Sequence, residues 1–337
     1  MKYFLPGTLC LLLVTVVFAT TVKAQENLAS TTVVENTAQV VSGPDITKER
    51  IPGSDVQLGD FVVGPGKVEV VVRPGETVYR DITVTNRIDD NRSFQFIVED
   101  MSGSADGSEA VVLLGDQDGP YSLKDYVSVP ADSIDLALGE RARVPVRITM
   151  PPNAEPGGYY GAVLVSTLSN DANATEAVGD SPIIARIGTL FFITVPGETV
   201  NAGELIQFST IGDKRWFSKG PITFGITYEN TGSVHQNPYG EIRITNTLGA
   251  EVGFVELDPW FVLPQSVRTR EVTWNSEVLL GRYKVTAQIN RGDDTIDTAS
   301  VYIWVIPWQF LALTFGTLFV LIFVVRWFFS RFEFKRK

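Results

Sequence analysis

The sequence predicts an all-β protein, built as two tandem immunoglobulin-like β-sandwiches followed by one C-terminal transmembrane helix. Three observations carry this. From residue 62 to residue 306, short runs of alternating apolar and polar residues recur between Gly, Pro, Asn and Asp turns. That span is too long for one small sandwich and suits two domains of ordinary size. It holds no long amphipathic helical pattern, and an almost wholly apolar run over 308–329 follows it.

The elements can be justified in order. Lys2, an apolar core over 9–19 and the small-x-small pattern Val22-Lys23-Ala24 make residues 1–24 a predicted signal peptide, cut after Ala24. The only cysteine, Cys10, falls inside it, so the mature chain is expected to lack disulfides, thiolate metal sites and a cysteine nucleophile. Residues 25–60 are polar with no sustained period, and a flexible leader is expected there. Residues 61–197 form the first sandwich, with strands expected over 67–72, 77–85, 93–99, 126–129, 141–150, 159–167 and 183–195. The second occupies 198–306, with strands over 204–209, 222–229, 240–246, 251–257, 268–274, 282–289 and 298–306.

Residues 307–329 are the expected membrane span. The apolar stretch 308–329 would rise roughly 33 Å as a helix, enough to cross a bilayer. A buried helix of this length in a soluble protein would show a polar face, and none is present. Trp308 and Trp327 fall where interfacial aromatics belong. Arg326, Arg331, Lys335, Arg336 and Lys337 face a lone Glu333, which places the tail 330–337 in the cytoplasm and the sandwiches outside. The net charge of -11 is concentrated outside, because of 39 acidic residues only Glu333 lies beyond the ectodomain. Such a surface repels phosphates and anionic lipid, so no nucleic-acid partner is expected.

The two halves resemble each other at matching places. "DITVTNRIDD" and "FGITYENTGS" each end a strand in an asparagine, Asn86 or Asn230, before a turn. Further on, Gly157-Gly158-Tyr159-Tyr160-Gly161 matches Gly281-Arg282-Tyr283-Lys284-Val285. Self-similarity at one domain length suggests a duplicated sandwich. Within "RITMPPNAEPGGYYGAVLV", Gly157 and Tyr159 fit the corner at which a tyrosine hydroxyl bonds back to the backbone at the start of a strand, and Gly281 and Tyr283 repeat it. A phosphate-cradling loop would need a helix next, whereas 161–167 alternate as a strand.

The combination of "VEVVVRPGETVYRDITVTN", "ALGERARVPVRITMPPNAEPGGYYGAVLV", a second β domain, one span and a basic tail resembles the WxL-interacting proteins of bacterial cell surfaces. The resemblance covers residues 62–337 and is most specific at Pro74-Gly75-Glu76, Asn86, Pro151 and Pro156-Gly157-x-Tyr159-x-Gly161. It implies two immunoglobulin-like domains, the first binding peptidoglycan and the second a host or partner protein.

Residue chemistry argues against catalysis. His235 is the only histidine, which denies a metal site its second imidazole, and its turn-rich setting suggests an exposed loop residue. No nucleotide fingerprint is present, so no cofactor is expected. Residues 100–121 carry Asp100, Asp106, Glu109, Asp116 and Asp118, but not at calcium-loop spacing. They read as a solvated loop, and Asp106, Asp116 and Asp118 are its candidate ligand contacts. Arg291-Gly292-Asp293 is ordinary hairpin chemistry. In the second domain Trp274 reads as core, and Trp260-Phe261 is one candidate contact. The preferred one is Trp216-Phe217, which lies beside Lys214, Arg215 and Lys219. The function expected is that of a non-catalytic, membrane-anchored bacterial surface protein that binds peptidoglycan or another surface protein. One alternative is an assembly factor that offers a free strand, such as 77–85, to exported subunits. Others are an envelope enzyme using His235 and a passive stalk.

Overall fold

The computed structural model describes residues 43–52, 58–167, 186–275, 280–293 and 295–331. The predicted signal peptide, the leader up to residue 42 and most of the basic tail lie outside the described residues. The protein forms two tandem β-sandwiches of immunoglobulin-like strand order and one apolar helix.

The first sandwich contains β1 (Thr47–Arg50), β2 (Val62–Gly64), β3 (Lys67–Val71), β4 (Thr77–Thr85), β5 (Arg92–Ser102), β6 (Val112–Leu113), β7 (Val127–Ser128), β8 (Ser133–Leu136), β9 (Glu140–Thr149), β10 (Gly157–Thr167) and β11 (Arg186–Val195). One sheet runs β1-β9-β4-β2, with β7 also on β9; the other runs β3-β11-β10-β5-β6, with β8 also on β5. Period-two alternation sends Ile82, Val84, Val144, Val146 and Ile148 inward from one sheet, and Phe94, Val163, Val165, Phe191 and Ile193 inward from the other. Each such side chain contributes about 1.5–3 kcal/mol when fully buried, so this interleaved core is what holds the two sheets face to face. After β1 and β2 in the first sheet the chain passes into the second at β3, where it runs parallel to β11.

The second sandwich contains β12 (Gly203–Thr210), β13 (Trp216–Phe217), β14 (Ile222–Asn230), β15 (Tyr239–Asn246), β16 (Glu251–Leu257), β17 (Ser266–Trp274), β18 (Gly281–Asn290) and β19 (Ile296–Val305). Its sheets run β12-β14-β17 and β13-β19-β18-β15-β16. The plan of the first sandwich is thereby repeated, down to a short strand, β13, that crosses to the second sheet and runs parallel to the last strand. Ile222, Phe224, Ile226, Ile242, Ile244, Val285, Ala287, Ile303 and Val305 form its core. Helix α1 (Trp308–Arg331) follows β19 after two residues, exposed throughout, with a mean hydropathy of 2.2.

Several differences from the sequence reading have physical causes. Thr47–Arg50, inside the expected leader, is a strand with all four side chains exposed. It joins β9 through backbone pairing and an exposed Glu49–Arg141 ion pair at 3.5 Å, and such contacts leave no hydrophobic period to read. The 77–85 strand is bonded to β9 along its whole length and to β2 at 83–85, so only part of one side is open. Strand β10 begins two residues before the expected start. It is buried on both faces, with Tyr160 packed in the junction cluster on one and Val163 and Val165 in the core of the first sandwich on the other.

Candidate functional site

The two sandwiches join through a small aromatic cluster of Met101, Tyr160, Phe192 and Leu263, with Tyr121, Leu190 and Phe261 against it. Tyr160 is its pivot. The ring folds back over Gly158, where any Cβ would collide with the hydroxyl. That hydroxyl accepts a 2.6 Å hydrogen bond from the His235 backbone N–H and lies 3.2 Å from His235 Nδ1. On the other side of the imidazole, Nε2 is 3.6 Å from a Glu69 carboxylate oxygen, and that oxygen accepts a 2.6 Å bond from Lys67 Nζ. A polar chain thus runs from the junction core, through His235 and Glu69, to Lys67 on β3.

His235 is therefore not the exposed loop residue its turn-rich setting suggests. Its side chain is only 12% exposed, wedged edge-on between Tyr160 and Phe192. Burial pushes the imidazole below its ordinary value and Lys67 adds to this, with Glu69 opposing. Burial alone would raise Glu69, but the hydrogen bond and charge of Lys67 and the charge of His235 hold it below the usual carboxylate range. One ring nitrogen faces the buried Tyr160 hydroxyl and the other the Glu69 carboxylate, and His235 lines neither of the clefts between the sandwiches.

One of those clefts is cationic. It has a volume of about 470 Å³ and is lined by Lys67, Pro259, Trp260, Phe261 and the run Arg268 to Glu271 of β17. The Lys67 ammonium lies 5.4 Å from the Phe192 ring centre and 5.6 Å from that of Phe261. The guanidinium of Arg268 stacks on Phe261 at 4.3 Å, and that of Arg270 on Trp260 at 5.2 Å. These guanidiniums donate to the backbone carbonyls of Phe261 and Asp258. Among the described residues, neither forms an ion pair with a carboxylate. Burial first, and then repulsion from Arg270, lowers Arg268 below the ordinary arginine value. The indole N–H of Trp260 is buried and has no acceptor among the described residues. Among the described residues the cleft therefore sets three cationic side chains against Glu271 in its lining and Glu69 on Lys67 beside it.

Beside the cleft lies a strand edge that is free among the described residues. Strand β3 ends its sheet, and the bonds Leu190 N–H to Gly66 C=O and Val72 N–H to Thr194 C=O show that even-numbered residues face β11. Backbone groups alternate along a strand, so the amides of Lys67, Glu69 and Val71 point away from the sheet. Strand β17 also ends its sheet, but residues 104–107 cover part of it, with Val267 N–H donating to Ser104 C=O and Thr269 N–H to Gly107 C=O.

That contact relocates the acidic loop over 100–121, which clamps one sandwich to the other. Burial would raise Asp100, but hydrogen bonds from Ser122, Gly119, Lys124 and Leu123 hold it below the usual range. The Asp106 carboxylate, likewise held low, accepts bonds from both Ser104 and Ser108. The Asp118 carboxylate is 2.6 Å from Lys124 Nζ, and the carbonyl of Asp116 accepts from the same ammonium at 3.0 Å. No group of three metal-ligating side chains gathers among the described residues. Asp118 does line the second cleft, of about 310 Å³, together with Met101, Tyr121, Tyr160 and Gln265.

The corner residues repeat between the sandwiches. Gly157 and Gly281 open β10 and β18 with φ of 146° and 140°, a backbone region that favours glycine. The Tyr159 hydroxyl donates to the Glu155 carbonyl at 3.1 Å, whereas Tyr283 is buried edge-on against Trp274. Of the tryptophan pair, Trp216 is 65% exposed and Phe217 packs on the second core. Sequence reasoning missed Lys67, Arg268 and Arg270. They lie some two hundred positions apart, and their convergence comes from topology rather than from any local motif.

No family model matches the chain, and no curated protein matches it. Among solved structures it is similar to the class 5 fimbriae chaperone CfaA, at 12% identity over 72% of this chain and 99% of that one, with a TM-score of 0.36. It is also similar to a chain of the CsuC–CsuE chaperone-tip adhesion subunit pre-assembly complex of Acinetobacter baumannii, at 11% identity, 73% and 98% coverage and a TM-score of 0.35. The E. coli chaperone DraB matches at 12% identity, 73% and 96% coverage and a TM-score of 0.33. Likenesses of this size carry no functional argument, and the assignment below rests on the cleft.

Proposed function

We propose that the protein is a non-catalytic, single-pass membrane protein that holds a partner polypeptide outside the cell, in the cleft between its sandwiches. The partner's extended segment adds to the free edge of β3 and delivers a carboxylate to Arg268 and Arg270. The observation that supports this is the donor excess among the described residues: two stacked guanidiniums without an ion-pair partner, beside Lys67 and an unpaired strand edge. Strand addition supplies backbone hydrogen bonds, while a paired guanidinium fork confers selectivity for a carboxylate. The apolar helix α1 supplies the anchor, and the basic residues after it set the sandwiches outside. Peptidoglycan, implied by the resemblance to WxL-interacting proteins, carries carboxylates on its peptide stems and is the second reading of the same cleft.

A photo-crosslinking amino acid at Val71, which is 63% exposed on that edge, tests the proposal in the full-length protein in cells. The expected result is a cross-link to one polypeptide that disappears with Arg268→Gln and Arg270→Gln. A cross-link indifferent to both substitutions would overturn the cleft reading. If the full chain instead sediments with purified sacculi, and does so only with both arginines intact, peptidoglycan replaces the polypeptide as ligand.

A further inference from the structure

The membrane-proximal end of the second sandwich carries a surface that the cleft does not use. Trp216 on β13 pairs in register with Trp304 on β19, which pairs in turn with Arg282 on β18. The two indoles stack at 5.4 Å with only 12° between their planes, and both are exposed. In the next rung Tyr302 lies under the Arg282 guanidinium at 4.1 Å and pairs with Lys284. Lys214, Arg215 and Lys219 flank Trp216 in sequence, Asp213 precedes them, and Glu251 pairs with Thr245, the residue that lies opposite Lys284. The tip of the adjoining turn is Leu248, 93% exposed. At the far end of β19 the outward residues are Ile296, Thr298 and Ser300, with neither aromatic ring nor positive charge.

The connection to α1 fixes where this end must sit. Backbone bonds from Trp304 N–H to Arg215 C=O and from Ile306 N–H to Phe217 C=O keep β19 paired to its last residues, and Pro307 leads directly into the helix. The uncharged part of the helix, from Trp308 to Val325, rises roughly 27 Å at 1.5 Å per residue, close to the roughly 30 Å of a bilayer's hydrocarbon core. Even the full apolar stretch to Phe329, roughly 33 Å at 1.5 Å per residue, exceeds that thickness by only about 3 Å and leaves little helix to raise the sandwich. Trp304 is four residues from Trp308, so it lies within roughly 13 Å of the point of entry even if the link is fully extended.

Resting on the reading of α1 as a membrane span, we infer that the rim of Trp216, Trp304, Arg282, Lys284 and Leu248 docks on the surface of that same bilayer and takes anionic lipid headgroups. Indole rings settle at the headgroup level, and basic residues gain from anionic lipid there. The ectodomain as a whole is acidic, but at physiological salt only charges within about 8 Å of the surface count, and this rim is basic. Docking fixes the tilt of the second sandwich and turns the inter-sandwich cleft to a set height above the membrane.

The test uses the full chain in vesicles of phosphatidylcholine with phosphatidylglycerol, and in phosphatidylcholine alone. An environment-sensitive fluorophore is attached at Leu248→Cys, or for comparison at Ile296→Cys. The expected result is quenching by headgroup nitroxide lipid at position 248 but not at 296, stronger with phosphatidylglycerol. Lys214→Gln with Arg215→Gln should reduce the docked-to-undocked ratio about 25-fold, since each basic residue contributes about fivefold near an anionic surface. Equal quenching at the two positions, in a chain that alkaline carbonate does not extract, overturns the docking alone. Extraction by carbonate overturns the span reading and the docking with it.

Discussion

Asn86 and Asn230 make the same three hydrogen bonds, one in each sandwich. Asn86 Nδ2 donates to the carbonyls of Asp90 and Leu136 at 2.8 and 2.9 Å, and its Oδ1 accepts from Ile88 N–H at 3.0 Å. Asn230 Nδ2 donates to Val234 and Val262 at 2.9 Å each, and its Oδ1 accepts from Gly232 N–H at 2.9 Å. Both side chains are fully buried, Asn86 directly after β4 and Asn230 as the last residue of β14. Each ties its own turn to a loop more than thirty residues away, which gives the duplication seen in the sequence a mechanical content.

Replacing either asparagine strands one buried carbonyl, Leu136 or Val262, and also removes the partner of a part-buried carbonyl and of one N–H. An unsatisfied buried group costs about 1–3 kcal/mol, so Asn86→Ala and Asn230→Ala should each destabilise the protein by about 3 kcal/mol. Asn→Asp keeps the acceptor and loses the donor, and should recover less than half of that loss. Denaturant unfolding of the full chain in detergent reads the difference. A loss below about 1 kcal/mol at either position would mean that the turn holds without its asparagine.

How much of this was legible in the sequence depended on distance along the chain. The asparagines, the Gly157 and Gly281 pair and most strands announce themselves through local pattern, because backbone geometry and period-two burial act over a few residues. Strands that are wholly exposed, such as Thr47–Arg50, or only two residues long, such as Trp216–Phe217, leave little or no such pattern. The junction leaves none at all. Tyr160, His235, Glu69 and Arg268 meet only because two sheets end at one place, and no residue type at those positions is unusual for a strand or turn. The position of His235 illustrates the limit: a turn-rich neighbourhood predicts exposure, and packing between domains reverses it.

The close approach of Tyr160 to Gly158 makes a second prediction. Gly158→Ala puts a methyl where the hydroxyl sits, so the ring must leave its place over the junction and release His235. Overpacking of this kind costs about 1–3 kcal/mol. The near-ultraviolet circular dichroism of the tyrosine cluster should weaken while the strand signal is kept. Tyr160→Phe keeps the ring and removes only the acceptor, so it should lose the His235 bond with little change in packing. An unchanged aromatic spectrum for Gly158→Ala would show that the methyl is accommodated without moving the ring.

Acid should loosen the junction before it unfolds either sandwich. The folded value of His235 lies below its ordinary 6.5, so between the two values the unfolded or opened chain binds the additional proton. Stability from the neutral ring is fully present above about 6.5 and is lost as pH falls through that window. Glu69 is also depressed from its ordinary 4.5, so its contribution is lost only at lower pH. Protease cleavage at the junction, followed from pH 8 to pH 5, should rise below about 6.5 in the native chain and flatten in His235→Phe. Identical profiles for the two would remove His235 as the cause.

The unmatched cations of the cleft predict a response to a simple anion, even with no partner in hand. Arg268 and Arg270 repel each other, and an oxyanion between them removes that repulsion while accepting from both forks. Anything that binds the folded state alone stabilises it, by about 2.7 kcal/mol when present at a hundred times its dissociation constant. Sulfate should therefore raise the melting temperature of the full chain. Part of that rise is general, because sulfate is excluded from protein surfaces and favours any compact state. The specific part is the difference between the native chain and a variant carrying Arg268→Gln and Arg270→Gln, measured at equal sulfate, with chloride at the same ionic strength as the reference. A larger rise in the native chain locates an anion at the arginines, whereas equal rises would mean that the two guanidiniums are satisfied by their carbonyls and rings and await nothing further.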